Sequence, residues 1–262
     1  MVRPTSRPAT SASARARPRT ASRPSLDEPA DFTGFPAAGL SFLREVAARQ
    51  DRAWVAAHKA EYEAHVRAPM RALVVETMAA CIDHGLPLVG DPVRSLFRLN
   101  RDTRFSADKS PFHTHASAVL TRTGEKRSPG VLYVQVVPRG SFAAVGFYQP
   151  DTAQLQRLRA AIVAAPTAWQ RMVRALAESG LTLETSDAMV RGPRGYERAP
   201  ASVQEALRLR SLIVVRPIAA AELRSPSLPA TLADFAVAAA PLLRFGWRAL
   251  EGETTTRPVR SR

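Results

Sequence analysis

The chain has 262 residues, 45% of them hydrophobic and 23% charged, with a formal net charge of +14 and a single cysteine. These are the proportions of a globular protein long enough to bury most of its apolar surface; no apolar run reaches the ~18–20 residues that cross a bilayer, and a lone Cys81 excludes an intrachain disulfide. The positive charge points first to nucleic acid, but six Arg and no acid fall in residues 1–25 and three Arg and no acid in 257–262, and without them 28 basic side chains face 23 acidic ones, a net of +5.

Residues 1–30 are an Arg/Pro/Ser-rich tail with too few apolar side chains to pack, and the expectation is disorder. The tail has no apolar h-region, so it does not read as a secretory signal. With a flexible basic tail at 251–262 it offers weak, salt-sensitive and non-specific contact to nucleic acid. The lone thiol, set among Met78, Ala79, Ala80 and Ile82, reads as buried and inert, which fits a reducing, cytoplasmic location without membrane attachment.

Residues 31–250 read as one domain. Pro36 suits a first helical turn, and Leu40, Leu43, Val46 and Ala47 keep helical spacing to about Arg49. Asp51 caps a second helix with Trp54, His58, Tyr62 and Val66 on or near one face, and Pro69 kinks or restarts it. Met70, Leu73, Val74, Thr77, Met78 and Cys81 continue a buried stripe, and the Gly and Pro residues between His84 and Pro92 mark a loop. Val93 to Phe105 alternates as a strand. That reading puts Arg94, Leu96, Arg98, Asn100, Asp102 and Arg104 on one face, and Phe97, Leu99, Arg101 and Phe105 on the other.

A turn at 106–111 leads to a second strand, Ala116 to Arg122. Val131 to Val137 and Phe142 to Tyr148 form a hairpin with alternating faces. Asp151 and Gln154 make a capping box for a helix through Leu155, Leu158 and Ile162. A further helix carries Trp169, Met172, Val173 and Leu176 and is closed by Gly180. After the loop at 192–200 come a short helix, Ser202 to Arg210, and a β-rich run, Leu212 to Arg216. One last helix holds Leu232, Phe235, Ala236, Ala239, Leu242, Leu243 and Trp247 at core spacing. Helices flanking hairpin-type strands give an α+β class with a mainly antiparallel sheet.

The densest chemistry lies between Arg98 and His115. Four cations (Arg98, Arg101, Arg104, Lys109) interleave there with Asp102 and Asp108, beside Asn100, the one Asn of the chain. The basic residues comprise 34 Arg and only Lys59, Lys109 and Lys126. Lysine retained against such a bias marks places that need a compact ammonium; Lys109 fits that requirement, whereas Lys126, in a polar loop, is explained by chance. The stretch resembles the domain of unknown function 2461, a bacterial family with the pattern R-x-x-R-D-x-R-F-x-x-x-K-x-P-Y-x-x-N. Arg98, Arg101, Asp102, Arg104, Phe105, Lys109 and Pro111 match, while Phe112 stands in place of Tyr and His115 in place of Asn. The resemblance implies an α+β fold and a site location, and no reaction.

Three readings of the stretch stand side by side. In the first, Arg98 and Arg104 form a fork for a small phosphate or carboxylate, with Lys109 as a movable charge. In the second, the protein is an enzyme acting on such an anion, with Lys109, His115 or Asp102 moving protons. The third is a structural or nucleic-acid-associated protein in which Arg101, Asp102, Phe105, Asp108 and Pro111 belong to a salt-bridge network. His113 and His115 alternate in an extended segment, and His58, Glu61 and His65 share a helix face. They are a conceivable mixed metal set, but the plainer reading has His58 hydrogen-bonded near Trp54 and His65 at the surface, so no metal is assigned. No cofactor and no oligomeric state is read from the sequence.

Overall fold

Helix α1 (Ala37–Arg49) turns Gly39, Phe42, Leu43 and Val46 inward, the stripe expected of an amphipathic helix. It stops at Gln50, whose φ of +49° is left-handed. At the next residue the Asp51 carboxylate accepts from the N–H groups of Ala53 and Trp54 and starts α2 (Arg52–Ala57). The computed structural model describes residues 31–251; both tails, and what the sequence leads one to expect of them, lie outside that range.

The single helix expected after Asp51 is a chain of shorter pieces: α2, α3 (Lys59–Tyr62), a π-helical turn Glu63–Arg67, and α4 (Ala68–Asp83). Pro69 explains the wide turn. It has no N–H for the carbonyl of His65, and its ring would collide with that carbonyl in a regular helix. The displaced carbonyl faces α1 so closely that a Cβ on Gly39 would lie 2.1 Å from its oxygen.

Four antiparallel strands form the sheet in chain order: β1 (Ala116–Thr121), β2 (Val131–Val136), β3 (Phe142–Phe147) and β4 (Leu212–Pro217). Between β3 and β4 run α5 (Thr152–Ala164), opened by the Asp151–Gln154 capping box, then α6 (Pro166–Glu178) and α7 (Gln204–Leu207). After β4 come α8 (Ala220–Leu223), α9 (Leu228–Ala238) and α10 (Ala240–Glu251). The one long C-terminal helix expected from periodicity is therefore two, bent by 57°, because Pro241 cannot donate back into α9. Among the described residues no single helix is long and apolar enough to cross a membrane.

Along β2, Leu132, Val134 and Val136 are buried in the core while the residues between them are half-exposed. Helix α4 packs against β1 and α9, and α10 against β3, α5 and α6. The opposite face of the sheet carries Tyr133 across from Val119 and Ala144, and Gln135 across from Ser117 and Phe142. The molecule is a single α+β domain with a mainly antiparallel sheet and flanking helices.

The expected strand Val93 to Phe105 does not form. Asp91 caps a turn instead, its carboxylate accepting from the N–H of Val93 at 2.8 Å and of Arg94 at 2.6 Å. Beyond it only single bridges remain, Leu96 with Ala118 and Asn100 with Phe112. Leu96 and Leu99 are both buried, three residues apart, while Phe97 and Arg98 are both exposed. Short acidic side chains that bond nearby N–H groups compete with a β ladder, and here they prevail.

Candidate functional site

The irregular segment Val93–Asn100 faces the helical wall of α2, α3 and the π turn across a cleft of about 790 Å³. The helical wall contributes Arg52, Lys59, Tyr62, Glu63 and Arg67, and the facing side Arg94, Arg98, Asn100, Phe112 and Lys126. Arg52, Lys59 and Arg67 come to one face because the helical turns repeat every three to four residues and the π turn keeps Glu63 and Arg67 in step. Six cations thus meet one carboxylate. That carboxylate, Glu63, is already engaged with Arg67 at 2.9 Å and with Arg71 at 3.7 Å.

Among the described residues Arg52, Lys59, Arg94, Arg98 and Lys126 form no ion pair. The Lys126 ammonium donates to the Leu96 carbonyl and lies 4.7 Å from the centre of the Phe97 ring. Burial, and then the like charge of Arg98, push its pKa below the ordinary lysine value. Burial pushes the Tyr62 hydroxyl up, so it stays a neutral donor on the cleft wall. A concave surface with several unpaired cations, backed by a helix, favours a multiply charged anion.

Of the residues singled out in the sequence, Arg98 lines this cleft. Arg104 and Lys109 do not; they belong to the exposed loop that follows. There the Arg104 guanidinium makes two bonds to the Asp102 carboxylate, at 3.0 and 2.7 Å, with its side chain 77% exposed. Lys109 donates to the Thr103 carbonyl at 3.0 Å. Arg101 pairs with Asp108 and also donates to the Ser110 carbonyl. Ser110 first, then Arg101, hold the Asp108 carboxyl well below its usual range, and Arg104 lowers that of Asp102. Phe105 is 95% exposed at the loop tip, Pro111 is half-buried, and Phe112 is buried with its N–H donating to Gln50.

The His113 and His115 rings lie 5.1 Å apart. Burial lowers both pKa values, aided at His113 by Arg101 and at His115 by His113. None of Lys109, His115 and Asp102 lines the cleft. His58 bonds the Trp54 carbonyl at 2.8 Å and stacks on its ring, while His65 is half-buried rather than at the surface. Among the described residues no group of three or more His, Cys, Asp or Glu side chains is placed to hold a metal ion. Cys81 is a buried free thiol.

Sequence reasoning passed over Lys126 and the helical cations. One signal was available: two of the three lysines of the chain, Lys59 and Lys126, line the cleft. Arg52 and Lys59, seven residues apart, also share a helix face. Nothing local joins that face to Lys126, almost seventy residues on.

A family model described as conserved hypothetical protein (DUF2461) matches residues 38–245, which takes in every element that builds the cleft. No curated protein and no solved structure matches the chain.

Proposed function

The chain belongs to the conserved hypothetical protein family DUF2461, and on that footing we propose that it binds a small phosphorylated or carboxylated anion between Arg98, Lys126 and the helical cations. The observation that carries this reading is the surplus of cations in a concave site whose one carboxylate is already occupied. An anion set between Arg98 and Lys126 would offset the like charge that, after burial, lowers the lysine pKa, so binding and charge reinforce each other. Arg104 and Lys109, on the adjoining loop, are already engaged by the Asp102 carboxylate and the Thr103 carbonyl. The acid–base candidates sit off the cleft, so the reading is one of binding and assigns no reaction. A bacterial cytoplasm suits a protein whose one thiol is free and buried.

The test is a thermal-shift series with phosphate, pyrophosphate, sulfate and citrate on the wild type, Arg98→Ala and Arg104→Ala. A ligand at 100 times its Kd stabilises by about 2.7 kcal/mol, which for a chain of this length is a rise of about 5–10 °C in Tm. The expected outcome is a clear rise in the wild type, most of it kept in Arg104→Ala and lost in Arg98→Ala. A flat series, or an Arg98→Ala protein that responds like the wild type, would sink the proposal.

A further inference from the structure

The open face of the sheet forms a second concavity of about 800 Å³ beside the cationic cleft, and the two share Phe97 and Lys126. Tyr133 lies at its centre, with the Phe97 ring 6.0 Å away and the Phe142 ring 5.9 Å away. Phe97 is 42% exposed and Tyr148, at the rim, 63%. Aromatic side chains are thus presented on a sheet beside a lysine and an arginine site, and not spent in the core as Phe147 is.

We infer that the anion is a nucleoside phosphate, its phosphate held at Arg98 and Lys126 and its base lying against Phe97, Tyr133 and Phe142. This deepens the anion reading of the cleft and rests on it. The side-chain amides of the concavity favour a planar, polar-edged ring over an alkyl chain. The Tyr133 hydroxyl donates to the Gln135 side-chain oxygen at 2.9 Å, which leaves the Gln135 amide N–H groups to meet acceptors on a base. Gln149 also lines the concavity, and an alkyl chain covering these amides would leave them without partners. Lys126 ties the phosphate to the base: its ammonium lies over the Phe97 ring, so the charged and the aromatic halves of the site meet at one residue. Stacking on aromatic faces tolerates any base, so the class is nucleoside phosphates and not one nucleotide.

Calorimetric titration of the full chain with adenosine 5′-monophosphate, ribose 5-phosphate, decyl phosphate and oligodeoxyadenylates tests the inference. The nucleotide should bind about 5- to 150-fold more tightly than ribose 5-phosphate, the range that one stacked base contributes. Phe142→Ala and Phe142→Leu, at a position outside the cationic cleft, should both reduce that advantage several-fold while ribose 5-phosphate binding stays unchanged. An unaltered Tm would show that either variant is folded. Equal affinity for the nucleotide and ribose 5-phosphate overturns the base site and leaves the anion site standing; failure of the nucleotide and ribose 5-phosphate alike overturns both. Decyl phosphate binding as tightly as the nucleotide, or affinity climbing with oligonucleotide length, also overturns it, in favour of an acyl ligand or of single-stranded nucleic acid.

Discussion

At the scale of the residue, charge alone did not distinguish a ligand group from a brace. Arg98 and Arg104 look equivalent in sequence, six residues apart in one motif. In the fold Arg104 is held by Asp102 in the open, and Arg98 faces a cleft with no carboxylate of its own. Exposed pairs of the Arg104–Asp102 kind contribute little stability, so their use here is to shape the loop. The same distinction applies to lysine: Lys109 bonds a carbonyl in its own loop, while Lys126 crosses to the Leu96 carbonyl and the cleft. The histidine pair gives a prediction with a definite sign. Both pKa values are lowered in the folded chain, so the unfolded chain takes up more protons below about pH 6.5, the ordinary histidine value. Stability contributed by the neutral rings is complete above that pH and is lost as pH falls through the lowered values. Chemical denaturation across pH 7.5 to 5 should therefore show falling stability, with a shallower fall in the double variant His113→Gln/His115→Gln. An equal slope in the two proteins would remove the histidines from the acid response.

At the scale of the element, local physics placed the caps, the hairpin and the helix stops, and misjudged the interruptions. Asp51, the Asp151–Gln154 box and Gly180 act within a few residues, and all three are found where the sequence puts them. The strand over Val93 to Phe105 failed because alternation is a necessary mark of a strand and not a sufficient one. The Asp91 and Asp102 side chains take the backbone N–H groups that a ladder would need. Pro69 was legible as a disturbance, but its consequence, a π turn that presses the His65 carbonyl onto α1, depends on the partner helix. Gly39→Ala tests that contact. Alanine favours an isolated helix by about 1 kcal/mol, yet the added methyl would sit 2.1 Å from a backbone oxygen that cannot swing aside, and overpacking of this kind costs about 1–3 kcal/mol. Urea unfolding should find Gly39→Ala less stable than the wild type, by up to about 2 kcal/mol. A more stable variant would mean that the helix pair gives way easily.

At the scale of the whole molecule, the one thiol reports on how the domain opens. Cys81 is fully buried on α4, which packs between β1 and α9, and burial pushes its pKa up to about 11. At pH 8 an aromatic disulfide reagent should leave the native chain almost unlabelled and react with one thiol per chain once denaturant unfolds it; rapid stoichiometric labelling of the native protein would show that α4 opens independently of the rest. The basic tails add to the chain's charge, but the six cleft cations come from residues 31–250, where 28 basic side chains face 19 acidic ones, a net of +9. By itself the sequence determined the α+β class, the antiparallel hairpin, the caps, the buried thiol and the motif that contains Arg98, because each follows from interactions between residues a few places apart or from a period repeated along one element. Tertiary structure alone decided that Arg52, Lys59, Arg67, Arg98 and Lys126 surround one cleft, and that Phe97 and Lys126 join it to the aromatic face of the sheet. Those residues are brought together by the packing of α2, α3 and the π turn across from an irregular segment, and no period in the chain encodes a meeting between elements so far apart.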